Sequence, residues 1–409
     1  MLRILMFKNI YLLPVLAIVT FYIIPSFLGV LYGKRPLAAQ LLELSSASVV
    51  TYLLFYKILS GFWFSSLYNS TPKIKVETGI FTWLILIIYF SVVVYACFTA
   101  PQIALVAAIK GGTLSELSGL REEFLRTREG WERILLYIYA IGISSLVPLV
   151  IAQMFLKKSK FKFLILGLFL LSLALTLEKG RALVAMLPLV VLFVNSGNRK
   201  KAYGIIFCLA AMIALVSVVA RGALTSDEQS NDPGPMAGVP DEYNLFVGET
   251  SQFYYIVNRV WYIPYVTAID WLSYKKEILK DETISGKSIA ALAWLLGEEK
   301  INLEQEVFSF EWGQNDTGTG SANTVYYVDA YLNFGYLGVL IYSMLFAYIV
   351  RVCVLSKNRA LMACLAISVY YVCFHSLSAV LFSGGLGFLF AFALLFKVKN
   401  LSESVRRVR

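Results

Sequence analysis

Two stretches of this sequence carry side chains whose types and spacing could do chemistry. The first is Asn258-Arg259-Val260-Trp261-Tyr262-Ile263-Pro264, where the only arginine between 222 and 325 stands among aromatic residues. The second is Gln314-Asn315-Asp316-Thr317-Gly318-Thr319-Gly320-Ser321-Ala322-Asn323-Thr324, followed closely by Asp329-Ala330-Tyr331-Leu332-Asn333-Phe334-Gly335. Amide and hydroxyl donors beside the apolar faces of Trp261, Tyr262 and Tyr331 are the chemistry of a carbohydrate site, where polar groups orient a sugar and rings stack on it. Asp329 and Asn333 are four apart, so a helix places them on one face. The same residues also fit a plainer reading, an aromatic belt at a membrane interface with capped helix ends. A third point, Glu178-Lys179-Gly180-Arg181, interrupts two apolar runs. It reads either as a polar turn with snorkelling side chains or as a place where Arg181 offers a planar donor fork to phosphate.

Other motifs carry less. The single histidine, His375, sits inside an apolar run with no second histidine to share a metal, so it is expected to be hydrogen-bonded between helices. Gly286-Lys287-Ser288 resembles the end of a phosphate loop, but Asp281 stands where that loop needs glycine. Gly384-Gly385-Leu386-Gly387 reads as close helix packing at a turn.

The elements that must position these residues follow from composition. Of 409 residues 58% are hydrophobic and only 15% charged, with a mean hydropathy of +0.70. Soluble domains run at about 45–50% apolar and about 25% charged, so a cytosolic enzyme, a secreted domain and a nucleic-acid-binding protein are excluded. Apolar runs fall at roughly 10–33, 37–56, 79–100, 134–156, 161–178, 182–195, 202–220, 326–350, 360–382 and 384–396, and most are long enough to cross a hydrocarbon core of ~30 Å. The expected fold is an all-α polytopic membrane protein of about ten transmembrane helices with one large outer loop. Residues 1–221 hold the first seven spans, 222–325 the loop, and 326–409 the last three spans and a basic tail. Within the first part, 101–133 carries Arg121, Arg126, Arg128 and Arg133 among acids, with Leu117, Leu120, Phe124 and Trp131 at helical spacing. That pattern predicts an amphipathic helix lying on the membrane surface. With both termini in the cytoplasm, 20 of the 36 Lys and Arg fall on the cytoplasmic side. Ten fall in the short outer segments, and the remaining six lie in the long loop, which the positive-inside rule does not count. The net +10 charge is therefore mostly a topology signal.

Taken in order, the motifs Arg259-x-x-x-x-Pro264, Ser321-Ala322-Asn323 and Asp329-Ala330-Tyr331-x-Asn333-Phe334-Gly335-x-x-Gly338 resemble those of the Wzy-type O-antigen (oligosaccharide repeat-unit) polymerases. A ten-span frame with a large loop between the seventh and eighth spans is also like that family. The resemblance implies a metal-independent glycosyltransferase without cofactor, in the bacterial inner membrane. It implies transfer of a growing glycan from undecaprenyl pyrophosphate onto a new lipid-linked repeat unit on the periplasmic face. The implied partners are that lipid-linked oligosaccharide, the bilayer, a chain-length regulator and the flippase of the same pathway.

Displacing a lipid pyrophosphate develops negative charge that cations must meet, for which Arg259 and Arg181 are the first candidates, with Lys179, Arg121, Arg126 and Arg128 beside them. Attack by a sugar hydroxyl needs an acceptor for its proton, and Asp329, Asp316 and Glu249 are the candidates in that order. Asn323 and Asn333, with Trp261, Tyr262 and Tyr331, would contact sugar. An O-antigen ligase and a lipid-linked oligosaccharide flippase or other transporter remain the alternatives. A ligase of that kind places a histidine in its outer loop, and a transporter is expected to show buried charges and inverted repeats.

Overall fold

An apolar segment in hydrocarbon must satisfy its backbone hydrogen bonds internally, and a helix does so. The computed structural model describes residues 7–33, 35–76, 78–112, 114–125, 127–177, 179–208, 211, 243, 245, 254, 257–313 and 320–398. Five of its helices are long and apolar enough to cross a membrane: Asn9–Leu31, Ala38–Leu59, Gly79–Thr99, Gly130–Leu156 and Tyr326–Leu355. Lys162–Ala174, Gly180–Asn195, Arg359–Val372 and Leu386–Leu395 are shorter apolar helices. Outward-facing Leu54, Ile58, Ile80, Ile87 and Phe98 are 58–86% exposed, a surface suited to lipid and not to water. The chain is an all-α membrane protein.

Prolines shape three of the helices. Wide π turns at Val19–Ile23, Gly142–Leu146 and Asn258–Tyr262 each end two residues before a proline, at Pro25, Pro148 and Pro264. Proline lacks an N–H and crowds the carbonyl one turn back, and widening that turn relieves both problems. The third of these turns carries Arg259, so the motif residue is presented by a helix irregularity that Pro264 explains.

The Tyr326–Leu355 helix packs along Ala38–Leu59 through small polar residues. Ser48 Oγ lies 2.6 Å from the Tyr326 hydroxyl and 3.0 Å from Ser343 Oγ, with all three side chains buried. Small residues and interhelical hydrogen bonds hold helices together where no hydrophobic drive separates protein from lipid. Gln40 Nε2 donates to the Tyr331 hydroxyl at one end of this pair, and Arg351 Nε donates to the Leu59 carbonyl at the other. The bundle thus has a loop end near Tyr331 and a basic end near Arg351. The basic end is tied by a short parallel strand pair, Ile74–Val76 with Phe396–Val398. At the loop end, Trp261 Nε1 donates to the Thr20 carbonyl (2.8 Å) and buried Trp271 Nε1 to the Ala322 carbonyl (2.9 Å), docking the Ile263–Glu277 helix on the bundle.

The sequence expectations change at two places. The apolar run 360–382 is broken: Arg359–Val372 stops, the chain turns, and Leu377–Phe382 starts again with the Ser376 hydroxyl accepting from the Ala379 N–H. The amphipathic helix expected within 101–133, with Leu117 to Trp131 on one stripe, is Leu114–Leu125, and Trp131 belongs to a separate turn. Its buried Leu117 and Leu120 pack with Ala104, Ala107, Ala108 and Leu177, so that face is covered by protein. Of the run 202–220, only 202–208 and 211 are described. The glycine cluster at 384–387 does pack closely, as a Cβ on Gly385 would collide with Ser145 Oγ.

Candidate active site

Asp329 and Asn333 occupy the first turns of the Tyr326–Leu355 helix, where every residue from Tyr326 to Asn333 is buried. Gly335, at φ 65° and ψ −155°, breaks the helix two residues later, so these turns are set apart from the rest of the span. Asn333 Nδ2 donates to the Asp329 carbonyl (2.8 Å) and to Asp329 Oδ1 (3.1 Å). Ser288 Oγ in turn donates to Asn333 Oδ1 at 2.9 Å. Ser288 belongs to the Gly-Lys-Ser segment whose sequence fails as a phosphate loop, and here it orients the amide that holds the acid. Asp329 is 2% exposed, and its Oδ2 has no hydrogen-bond partner. A buried carboxylate oxygen left without a donor is costly, and a substrate hydroxyl is the kind of group that would complete it.

Glu304, from the Leu303–Trp312 helix, is at the same end, near enough for its charge to act on Asp329. Ser321 Oγ donates to Glu304 Oε2 (3.0 Å) and Ala322 N to the Glu304 carbonyl (2.9 Å), so two residues of the Ser-Ala-Asn motif position Glu304. The third, Asn323, is exposed.

The charge of Glu304 also reaches His375, as does that of Arg181. Arg181 and His375 line one cavity of about 370 Å³ with Ser144, Tyr371 and Ser383. His375 therefore does not sit inside a continuous helix. It lies in the turn after Val372, with its ring 5.7 Å from that of Tyr371 and beside the Arg181 cavity. The fold thus brings Arg181, His375, Glu304 and Asp329 to one end of the bundle.

Other candidate residues are placed differently. Arg259 is exposed on its π turn, and Asn258 beside it is buried, donating to the Tyr243 carbonyl at 2.7 Å. Trp261 has its N–H engaged by Thr20, and Tyr262 packs with Tyr265 at 5.9 Å between ring centroids. Tyr331 is buried, held by Gln40 and with Lys275 Nζ 5.2 Å from its ring centre, so it supports the site and offers no stacking face. Lys275 is itself spent on the Asp281 and Glu282 carbonyls, at 2.8 and 2.6 Å. Arg128 pairs with Glu132 (3.2 Å) and donates to Thr99 Oγ1 (2.8 Å). Arg121 Nε is buried without a hydrogen-bond partner. Arg126, Glu249, Asp316 and the side chain of Lys179 lie outside the described residues.

The chain matches no protein-family model, no curated protein and no solved structure. Its chemistry must be read from its own side chains. Among the described residues no three His, Cys, Asp or Glu side chains gather as a metal-binding group. What the arrangement offers is a buried acid with one oxygen unpartnered, a second acid whose charge acts on it, and a guanidinium lining a cavity at the same end of the bundle. Those parts suit removing a proton from a hydroxyl while balancing charge on a departing anion. Sequence reasoning missed Ser288 and Glu304. Glu304 is one of many acids in the 222–325 segment, and no local pattern distinguishes it.

Proposed function

We propose that this membrane protein polymerises lipid-linked oligosaccharide repeat units, as the Wzy-type O-antigen polymerases do, with about ten spans, both termini in the cytoplasm and the 222–325 segment outside the inner membrane. The observation that carries the reading is Asp329: a buried carboxylate at the loop end, oriented by Asn333 and Ser288, with Oδ2 unpartnered. The hydroxyl of the incoming lipid-linked repeat gives its proton to Asp329 Oδ2 as its oxygen bonds to the anomeric carbon of the growing glycan. The bond from that carbon to undecaprenyl pyrophosphate breaks, and the leaving group departs with the electron pair. Arg181 meets the charge from within its cavity, with exposed Arg259 as the second cation. A chain-length regulator and the pathway's flippase are the proposed protein partners.

One observation favours a second reading of the same class, an O-antigen ligase: the sole histidine lies beside Arg181. Deleting the gene in its bacterium and resolving the surface polysaccharide on a gel separates the two. Loss of polymerase collapses the ladder to surface lipid capped with a single repeat, whereas loss of ligase leaves the surface lipid uncapped while lipid-linked polymer accumulates. An unchanged ladder overturns both and leaves a transporter, or a sensor or scaffold whose loop binds an outer partner.

A further inference from the structure

The basic end of the bundle holds a second cavity, larger than the one beside Arg181, at about 910 Å³. Chain segments far apart in sequence supply its cations: Lys73, Lys75, Lys157, Lys357, Arg359 and Lys397. No Asp or Glu is among its described lining residues, and none of the six forms an ion pair among the described residues. Like charges held together without a counter-charge repel one another, and burial adds to the cost of keeping them charged. Burial and the Lys397 charge hold the Lys73 ammonium below the usual lysine range, and burial does the same to Lys157. Lys73 Nζ rests 3.2 Å from the centre of the Tyr68 ring, a π face standing in for an anion.

Solvated basic residues at a membrane-protein end are ordinary, but Gln153 is not. It lines the same cavity, is only 6% exposed, and has neither Nε2 nor Oε1 hydrogen-bonded. Its neighbours Ile151, Ala152 and Met154 are apolar and buried, so an aliphatic residue would suit the packing better than an orphaned amide. The amide offers one donor side and one acceptor side toward a partner. The N-terminus of the 14-residue Arg359–Val372 helix opens at the same place and adds its positive end.

We propose that this cavity binds a phosphate ester, its negative charge taken by the lysine and arginine side chains and an ester or hydroxyl oxygen taken by the Gln153 amide. A phosphate ester supplies the missing counter-charge and, when it also carries a hydroxyl, satisfies both sides of the amide. Two sources share that chemistry: the headgroup of an anionic phospholipid in the adjoining leaflet, and a soluble phosphate ester.

The test uses the full chain in detergent, with phosphatidylglycerol, glycerol 3-phosphate and zwitterionic phosphatidylethanolamine as probes, read by native mass spectrometry and thermal unfolding. Lys73→Gln with Lys397→Gln is expected to weaken phosphatidylglycerol binding about thirtyfold. Gln153→Leu is expected to weaken it about tenfold while leaving the ligand-free melting temperature unchanged or higher, since the orphaned amide is gone. Lys200→Gln with Lys201→Gln, at two lysines outside the cavity, keeps wild-type binding. Binding of phosphatidylglycerol alone assigns the lipid source, and stabilisation by glycerol 3-phosphate as well assigns the soluble one. The proposal fails if neither anion binds better than phosphatidylethanolamine. It fails equally if the Lys200/Lys201 variant loses as much as the Lys73/Lys397 variant, or if Gln153→Leu binds like wild type.

Discussion

Asp329→Asn separates proton acceptance from shape. Asp329 Oδ1 accepts from Asn333 Nδ2 at 3.1 Å, and asparagine keeps a carbonyl oxygen there. At the other position an unpartnered oxygen becomes an unpartnered amide nitrogen, exchanging one orphaned buried group worth about 1–3 kcal/mol for another of similar cost. The substitution also removes a charge from a site that is 2% exposed, which favours the folded state. Stability should therefore stay within about 1 kcal/mol of wild type or rise. Activity should not, because a positioned base contributes about 10²–10⁴-fold, or about 3–5.5 kcal/mol of barrier. Purified protein given a lipid-linked repeat unit should form polymer at least about a hundredfold more slowly, with an unchanged melting temperature, and cells should accumulate unpolymerised repeat. Asp316→Asn, in a Gly/Thr/Ser-rich stretch, is the control and should give a normal ladder. A rate within about threefold of wild type would remove Asp329 as the base. A lost rate accompanied by a lower melting temperature would assign it a structural role, and a normal ladder from Asp329→Asn with a lost one from Asp316→Asn would move the base into the loop.

Arg181→Ala and Arg259→Ala should each abolish or severely reduce polymer at normal protein level, with lysine restoring only part because it lacks the guanidinium fork; full activity of either alanine variant on a gel removes that arginine from the mechanism. His375→Ala is expected to shorten the ladder, since the imidazole lines the Arg181 cavity, and a wild-type ladder would return His375 to a packing role. Gly335→Ala has room for its methyl, with Thr283 Cγ2 3.9 Å away, yet its φ of 65° with ψ −155° is open almost only to glycine. It should cost about 1–3 kcal/mol in thermal unfolding and slow polymerisation by disturbing the Asp329 turns, and an unaffected variant would show that the break is dispensable. Reporters fused after residue 198 or 357 should read cytoplasm and one at 235 the outside; a cytoplasmic signal at 235 would invert every sidedness assignment.

Span positions were legible because apolar run length is local. Residues 326–350 contain no Asp, Glu, Lys or Arg apart from Asp329, and the helix there runs Tyr326–Leu355. The pairing of Asp329 with Asn333 was legible for the same reason, since four residues on a helix always share a face. The break in the run 360–382 was not: the residues around His375 are no less apolar than their neighbours, and the Ser376 cap decides against a continuous helix there. Nor did spacing reveal that Trp261 and Tyr331 are used for docking and support, because an aromatic side chain reads the same in sequence whether its polar tip meets a sugar or a carbonyl. The amino-acid sequence alone thus determined that the chain lies in a membrane as helices, and which short motifs were polar enough to matter. Tertiary structure alone decided that Glu304, Arg181 and His375 share an end of the bundle with Asp329, and that six cations line one cavity with Gln153 at the other. Helix formation is settled within a few turns by hydrogen bonding and the hydrocarbon around it, whereas the meeting of charges from distant segments depends on how whole helices pack.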